Sequence, residues 1–327
     1  MKDKLNLSKF SSIIKDFHQS YIDACAKSGL SLDNGNQLFY RLIELVQHQV
    51  EHPTKFSLFH QSVRKPIDYY QFGLDFISPL IDFENSKILH FDRIERINDQ
   101  LARGENVIFL ANHQTEPDPQ IINLLLKKHG VPFSSQMIFV AGHRVVEDPI
   151  AIPMSLGCNL LCIYSKKHID HPPEDKPKKV SHNQRTMKKM SELLSEGGKC
   201  IYVAPSGGRD RVNAQGLVEV SPFDPQSIEL FLLISQRAAK PTHFYPLTLL
   251  TYDLLPPPSH VEKELGERRI AHHTPVYLSF GEEIDMDHFP GSTSSNDKKE
   301  KRNKRADYIW NIVLQDFHKL IKMRSKD

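Results

Sequence analysis

The chain has 327 residues, of which 39% are hydrophobic and 25% are charged, and its formal net charge is +2. This composition is ordinary for a globular protein, and the near-neutral charge argues against a nucleic-acid partner. The sequence has neither an apolar run near the ~20 residues that span a bilayer nor the apolar segment of a signal peptide. We therefore expect a soluble, cytoplasmic protein with at most peripheral membrane contact, long enough for two domains.

Residues 1–82 carry apolar side chains at helical spacing in three segments, around residues 10–21, 38–46 and 69–80. Breaks at "LDNGN" (32–36), Pro53 and Pro66 separate these segments. Short connections favour antiparallel packing, so the sequence predicts a small N-terminal helical bundle. A packing domain and a lid or docking surface are both open as its role.

In residues 83–327, brief apolar runs alternate with helical patterns. This alternation predicts an α/β domain in which helices cover both faces of a mixed sheet, a three-layer α/β/α arrangement. Ligands in such sheets bind beyond the carboxyl ends of the strands. The predicted strands are "VIFLAN", "MIFVAG", "LLCIY", "CIYVAPSGG", "FYPLTLLT" and "PVYLSF", and the predicted helices are "PQIINLLLKKHG", "NQRTMKKMSELLSEGG", "PQSIELFLLISQRA" and a C-terminal segment through Ile309 and Leu320.

"ANHQTEPDPQ", residues 111–120, follows the first of these strands and places His113 five residues before Asp118. Pro119 pushes Asp118 into an extended conformation, from which its carboxylate is predicted to cap the helix that begins there. The same carboxylate is also suited to orient His113 as a general base, a function typically worth ~10²–10⁴ in rate. The spacing alone leaves open whether the pair is catalytic or the histidine is incidental.

"APSGGRDR", residues 204–211, follows another predicted strand. Gly207 and Gly208, with Ser206, allow the backbone N–H groups to approach an anion, and Arg209 and Arg211 supply forked donors suited to phosphate. A glycine-rich turn with solvated arginines is the alternative. Ala204 stands where a serine-hydrolase elbow needs glycine, so a serine nucleophile is not supported.

"YSKKHID", residues 164–170, adds Lys167 and His168 at a third strand end. Surface lysines are usually solvated, and this motif gains weight only beside the other two. Together they predict a base next to a phosphate-sized anion site. The four cysteines are Cys25, Cys158, Cys162 and Cys200. They lack the spacing of a zinc site, so we expect buried thiols and no metal.

Four blocks, "NHQTEPDP", "FVAGHRVVEDP", "LLCIYSKKHID" and "IYVAPSGGRDR", resemble those of the soluble glycerol-3-phosphate 1-O-acyltransferases of the chloroplast-stroma and chlamydial type. The resemblance covers roughly residues 85–285 and includes the order and separation of the blocks. The wider glycerolipid acyltransferase superfamily usually has serine where this chain has Thr115, and glutamate within the later block where it has Ser206. These departures favour the soluble branch, and the plastid stroma if this is a mature plant protein.

The resemblance implies that an acyl group moves from an acyl carrier protein or coenzyme A thioester to the first hydroxyl of sn-glycerol 3-phosphate, the first step of phospholipid synthesis. It implies His113 as general base, Asp118 as its orienting partner, and no cofactor. It assigns the substrate phosphate to Lys167, His168, Arg209 and Arg211, with backbone contacts from Ser206, Gly207 and Gly208.

Two alternatives to this function remain open at the level of sequence. One is a 1-acylglycerol-3-phosphate acyltransferase, and the other is a non-enzymatic protein that binds acidic partners. Met154 and Leu156 are candidates to line an acyl channel, although ordinary core packing explains them as well. Two basic clusters are candidates to dock the acidic carrier protein, although runs of charged residues are more often solvated. The first contains Lys176, Lys178 and Lys179, and the second contains Lys298, Lys299, Lys301, Arg302, Lys304 and Arg305.

Overall fold

The computed structural model describes residues 7–166, 169–258, 267–293 and 297–325. Its N-terminal part contains three helices, α1 (Leu7–Lys27), α2 (Leu32–Glu51) and α3 (Tyr69–Ile77). Aromatic side chains join them: the rings of Tyr21 and Phe76 stack with centroids 4.3 Å apart, and Phe39 packs against both. The Tyr21 hydroxyl donates to the main-chain oxygen of Phe76 over 2.9 Å, so this buried polar group is satisfied.

The described strands form one sheet of eight and a separate two-stranded hairpin of β7 and β8. Along the large sheet the order is β1-β5-β4-β6-β3-β9-β10-β2. The five strands from β5 to β9 in this order run parallel, whereas β1 and β10 run antiparallel to their inner neighbours. The strands are β1 (Phe59–His60), β2 (Lys87–Leu89), β3 (Asn106–Ala111), β4 (Ile138–Gly142), β5 (Asn159–Ile163), β6 (Cys200–Val203), β7 (Arg211–Val212), β8 (Val218–Glu219), β9 (Thr242–Leu250) and β10 (Tyr277–Phe280).

Helices cover both faces of the large sheet. Alternate residues of a strand point to opposite faces, so Phe109 and Leu110 of β3 belong to different hydrophobic clusters. The cluster around Phe109 includes α1 to α6, and the cluster around Leu110 includes α7, α8 and α9. The predicted three-layer α/β/α architecture is thereby confirmed. The remaining helices are α4 (Phe91–Ala102), α5 (Asp118–Lys128), α6 (Ile152–Leu156), α7 (Lys176–Glu196), α8 (Pro225–Gln236) and α9 (Lys298–Arg324).

The N-terminal helices are continuous with the core on one face of the sheet. Phe17 and Phe39 share a hydrophobic cluster with Phe109 of the sheet, and β1 pairs with β5 at the sheet edge. The sequence did not predict this strand, which is two residues long. A division into domains at residues 1–82 and 83–327 stays a prediction.

All four cysteines are buried and free, as predicted. Burial raises the pKa of the Cys158 and Cys162 thiols to about 12. Neither is therefore an activated nucleophile, since thiolate is the reactive form. Within the described ranges, no helix is both long enough and apolar enough to traverse a membrane.

Candidate active site

The candidate site lies at the carboxyl ends of the parallel strands, where α/β sheets bind ligands. The turn with His113 follows β3, Arg144 follows β4, and the loop with Arg209 follows β6. Thr251 and Tyr252 follow β9. The strand order sets β6, β3 and β9 side by side. The residues that follow β3 therefore contact residues far away in the sequence: Asn112 is hydrogen-bonded to Asp210, 98 residues later, and to Leu249, 137 residues later.

His113 and Asp118 are in direct contact. His113 Nδ1 lies 2.8 Å from Asp118 Oδ2, and the side chains are 28% and 1% exposed, respectively. A carboxylate only accepts hydrogen bonds, so this contact places the proton of a neutral imidazole on Nδ1 and leaves the lone pair on Nε2. No described residue is hydrogen-bonded to Nε2, which is therefore able to accept a proton from a bound hydroxyl.

The carboxylate of Asp118 is held by four donors. Besides His113, Oδ2 accepts from the main-chain N–H groups of Gln114 at 2.8 Å and Thr115 at 3.2 Å, and Oδ1 accepts from Thr251 Oγ1 at 2.6 Å. These donors stabilise the charged form of a buried group, which would otherwise be costly. They also fix the direction in which the carboxylate approaches the imidazole.

The prediction that Asp118 caps the following helix is wrong. Helix α5 begins at Asp118 itself, with Pro117 in the cap position and no side-chain cap. Asp118 is thus inside the first turn, and its carboxylate turns back to the N–H groups that precede the helix. The competing structural explanation for Asp118 is therefore removed, although its catalytic role remains a prediction.

Asp210 is a second buried carboxylate beside His113, and sequence reasoning missed it. Oδ2 accepts from Asn112 Nδ2 at 2.9 Å and Gln114 Nε2 at 3.2 Å, while Oδ1 accepts from Ser221 N at 2.9 Å. The Asp210 N–H donates to the main-chain oxygen of His113 over 2.6 Å. Burial raises the pKa of Asp210 to about 6, although these three hydrogen bonds to its carboxylate act in the opposite direction.

The loop that carries Arg209 and Arg211 is joined to the His113 turn through Asp210 between them. Gly207 has φ of 67°, in the left-handed region that favours glycine, and Ser206 Oγ donates to Gly208 O. Arg209 Nη2 donates to Glu267 Oε2 over 2.7 Å. Arg211 Nη1 is buried and has no acceptor among the described residues.

The electrostatics of this loop favour an anion. Burial, followed by the like charge of Arg209, lowers the pKa of Arg211. Although burial by itself raises the pKa of Glu267, the hydrogen bond and charge of Arg209 lower it below its usual range, with help from Arg269 and Arg144. A phosphate at Arg211 would give the buried guanidinium N–H an acceptor and oppose the repulsion between the arginines.

Arg269 links the His113 turn to two other segments and was also missed by sequence reasoning. It is 4% exposed and makes a forked contact with Glu116, at 2.7 and 2.9 Å, and a 3.2 Å contact with Asp148. Its Nη1 also donates to the main-chain oxygen of Glu267. Although burial alone lowers the pKa of Arg269, the carboxylates of Asp148, Glu116 and Glu267 raise it, so the guanidinium stays charged.

Not all predicted site residues can be compared with the structure. Lys167 and His168 lie outside the described residues, so their role stays a prediction. Of the two residues proposed for an acyl channel, Met154 lines a largely apolar cavity of about 30 Å³, next to Glu116 and Pro117. Leu156 is buried in the hydrophobic core and is not among the lining residues. In the part of the chain that the structure describes, no group of three or more potential ligands is placed to hold a metal ion.

Comparison with known proteins agrees with this arrangement. A family model described as Acyltransferase matches residues 93–249, a range that includes His113, Asp118 and both arginines of the loop. Three curated relatives named glycerol-3-phosphate acyltransferase, chloroplastic, were found in Spinacia oleracea, Arabidopsis thaliana and Phaseolus vulgaris, at 38%, 37% and 35% identity. The alignments cover 85%, 88% and 94% of this chain and 59%, 63% and 67% of the relatives.

The chain therefore spans about three fifths to two thirds of the length of these relatives. The range matched by the family model contains the strands β3, β4, β5 and β6 and the loops that carry His113 and both arginines. On this evidence, the chain belongs to the family of the plant glycerol-3-phosphate acyltransferases.

Proposed function

We propose that this protein transfers an acyl group from a thioester to the first hydroxyl of sn-glycerol 3-phosphate. The observation that carries the proposal is the position of His113 between a buried carboxylate and an arginine loop. Asp118 contacts its ring at 2.8 Å, and the loop that bears Arg209 and Arg211 donates to its main-chain oxygen at 2.6 Å. The names of the relatives support glycerol 3-phosphate as the acceptor.

In the proposed reaction, the arginines fix the phosphate and His113 acts at the other end of the acceptor. Nε2 removes the hydroxyl proton as the oxygen attacks the thioester carbonyl, and Asp118 stabilises the resulting imidazolium. The carbon–sulfur bond breaks as the new ester forms, and the leaving thiolate takes the proton from the imidazolium, which restores neutral His113. The hydroxyl attacks the thioester directly, so no covalent enzyme intermediate forms. Fixing the phosphate brings the hydroxyl within ~3–3.5 Å of the carbonyl, and such positioning is a major source of rate.

The acyl donor is proposed to be an acyl carrier protein or coenzyme A thioester. An apolar cavity lined by Phe76, Ile150 and Met154 lies against the turn that bears Glu116. Met154 is one of its lining residues, and its flexible side chain is able to move and widen the cavity for a long acyl chain. The cavity supports an apolar donor beside the turn and leaves the choice of carrier open.

The predicted docking cluster at the start of α9 is smaller than the sequence indicates. Arg305 is 5% exposed, donates to Glu229 Oε2 at 2.6 Å and is bonded to the Met286 main chain, so it is unavailable to a partner. Lys304 pairs with Glu300.

The names of the relatives call them chloroplastic, which supports a plastid location for this chain.

The test is acyl transfer by purified protein to labelled glycerol 3-phosphate, with acyl carrier protein and coenzyme A thioesters as donors. We expect 1-acylglycerol 3-phosphate as product, and we expect His113→Ala to abolish its formation while still binding glycerol 3-phosphate. In parallel, 1-acylglycerol 3-phosphate is offered as acceptor. Preference for that acceptor would favour a 1-acylglycerol-3-phosphate acyltransferase, and binding without thioester consumption would favour a non-enzymatic protein that binds acidic partners.

A further inference from the structure

Glu267 places a buried carboxylate among the arginines assigned to the phosphate. Its side chain is 11% exposed, and Oε2 accepts from Arg209 Nη2 at 2.7 Å. The charge of Glu267 also acts on Arg211: burial lowers the pKa of Arg211 overall, and Glu267 opposes this effect. Oε1 accepts no hydrogen bond from any described residue. One oxygen therefore orients Arg209, and the other is an acceptor that the described residues leave unused.

A carboxylate at this position is unfavourable for binding phosphate alone, because it repels a dianion and partly neutralises Arg209. Orienting Arg209 requires only Oε2. The remaining oxygen suits a ligand that carries a hydrogen-bond donor close to its phosphate. Glycerol 3-phosphate has such a donor, the secondary hydroxyl on the carbon that separates the phosphate-bearing carbon from the reacting one.

The connections of Glu267 place it between the two ends of the proposed acceptor site. Its side chain contacts Arg209 in the phosphate loop, and its main-chain oxygen accepts from Arg269 at 3.0 Å. Arg269 in turn holds Glu116 in the turn that carries His113. An acceptor with its phosphate at the arginines and its primary hydroxyl at His113 has its middle carbon between these two points.

We propose that Glu267 is a specificity-determining residue that accepts a hydrogen bond from the secondary hydroxyl of the acceptor. This inference rests on the proposed function. The bond is charge-assisted and formed at a largely desolvated carboxylate, and such bonds are roughly twice as strong as neutral ones. Glu267 therefore selects phosphates of vicinal diols over phosphates that lack the middle hydroxyl.

The experiment compares glycerol 3-phosphate with 3-hydroxypropyl phosphate, which keeps the phosphate and the reacting primary hydroxyl and lacks only the secondary one. In the wild-type protein we expect kcat/KM to favour glycerol 3-phosphate by about 10- to 150-fold, the range for one charge-assisted hydrogen bond. In Glu267→Gln the amide oxygen accepts from Arg209 and the NH₂ replaces Oε1, so at most a weaker, neutral hydrogen bond to the hydroxyl oxygen remains. The preference should then fall below about threefold, whereas the exposed control Glu192→Gln on α7 should keep it.

Two results would overturn the proposal. One is a wild-type preference below about twofold, and the other is a Glu267→Gln variant that loses rate equally on both acceptors, since Glu267 would then act only through Arg209. If the Glu267→Gln variant is unstable, the proposal is tested instead by calorimetry of both phosphates binding to the wild-type protein in the absence of an acyl donor. There, binding at least about tenfold tighter for glycerol 3-phosphate supports the proposal, and equal binding or none refutes it. If no acyl transfer occurs, the proposed function fails, while this binding comparison still tests whether the site selects the secondary hydroxyl.

Discussion

Asp210 should make the stability of this protein depend on pH in the direction opposite to most carboxylates. It is fully buried, and burial raises its pKa from an ordinary 3.8 to about 6. Replacement by asparagine keeps the shape and removes the ionisable group. The amide oxygen is still able to accept from Asn112 and Gln114, while the amide NH₂ then faces the N–H of Ser221, which loses its acceptor.

The difference between 3.8 and about 6 corresponds to about 3 kcal/mol. Because the pKa is higher in the folded protein, the folded state favours the protonated acid. The stability from Asp210 is fully present below about pH 4 and is lost as the pH rises through about 6. About 2 kcal/mol of this change falls between pH 4 and pH 7. The free energy of unfolding of wild type, minus that of Asp210→Asn, should therefore fall by about 2 kcal/mol over this interval.

The measurement is urea unfolding of both proteins at half-unit steps from pH 4 to pH 7, because the subtraction cancels the titration of all other groups. Asp224→Asn is the matched control. Although burial raises the pKa of Asp224, hydrogen bonds from Lys166 and Ser227 lower it overall, so its stability contribution should be lost as the pH falls. A wild-type minus Asp210→Asn difference that stays constant within about 0.5 kcal/mol, or that rises with pH, would refute the reasoning.

Three further changes test the proposed site. Asp118→Asn should lower kcat by about 10²–10³ while glycerol 3-phosphate still binds, because the amide oxygen still accepts from His113, whereas the charge and the hydrogen bond from Thr251 are lost. An unchanged kcat would contradict its role. Arg211→Gln should raise the KM for glycerol 3-phosphate by about 10- to 100-fold without loss of stability in urea, and an unchanged KM would exclude Arg211 from the phosphate site. Arg269→Met should cost about 3–5 kcal/mol in urea unfolding, because Glu116 and Asp148 lose their buried counter-charge; a cost below about 1 kcal/mol would show that they find other partners.

The sequence predicted the layered architecture because strand and helix periodicities alternate clearly after residue 85. The predicted strands β3, β4, β5, β6, β9 and β10 are all present. The strands that it missed, β1, β2, β7 and β8, are two or three residues long, too short to show a period. The order of the strands in the sheet could not be predicted from the sequence, because strand pairing joins residues that are far apart in the chain, such as Phe59 and Leu161.

Within the site, local spacing predicted only contacts between residues close in sequence. His113 and Asp118 are five residues apart, and a single turn brings them together. Asp210 and Glu267 were missed because their partners lie far away in the sequence, such as Asn112 98 residues before Asp210 and Arg209 58 residues before Glu267. The quoted motif "APSGGRDR" contains Asp210, but its burial follows from the adjacency of β6 and β3, which periodicity does not specify.

The two carboxylates beside His113 act on different parts of that residue. Asp118 contacts the imidazole, so its charge bears on the proton transfer that we propose for His113. Asp210 reaches His113 through its own N–H, which donates to the main-chain oxygen regardless of the charge on its side chain. Protonation of Asp210 therefore acts first on stability and on the hydrogen bonds that its carboxylate accepts from Asn112 and Gln114. For this reason Asp118→Asn is expected to impair catalysis in a stable protein, whereas Asp210→Asn is expected to show its effect first in unfolding.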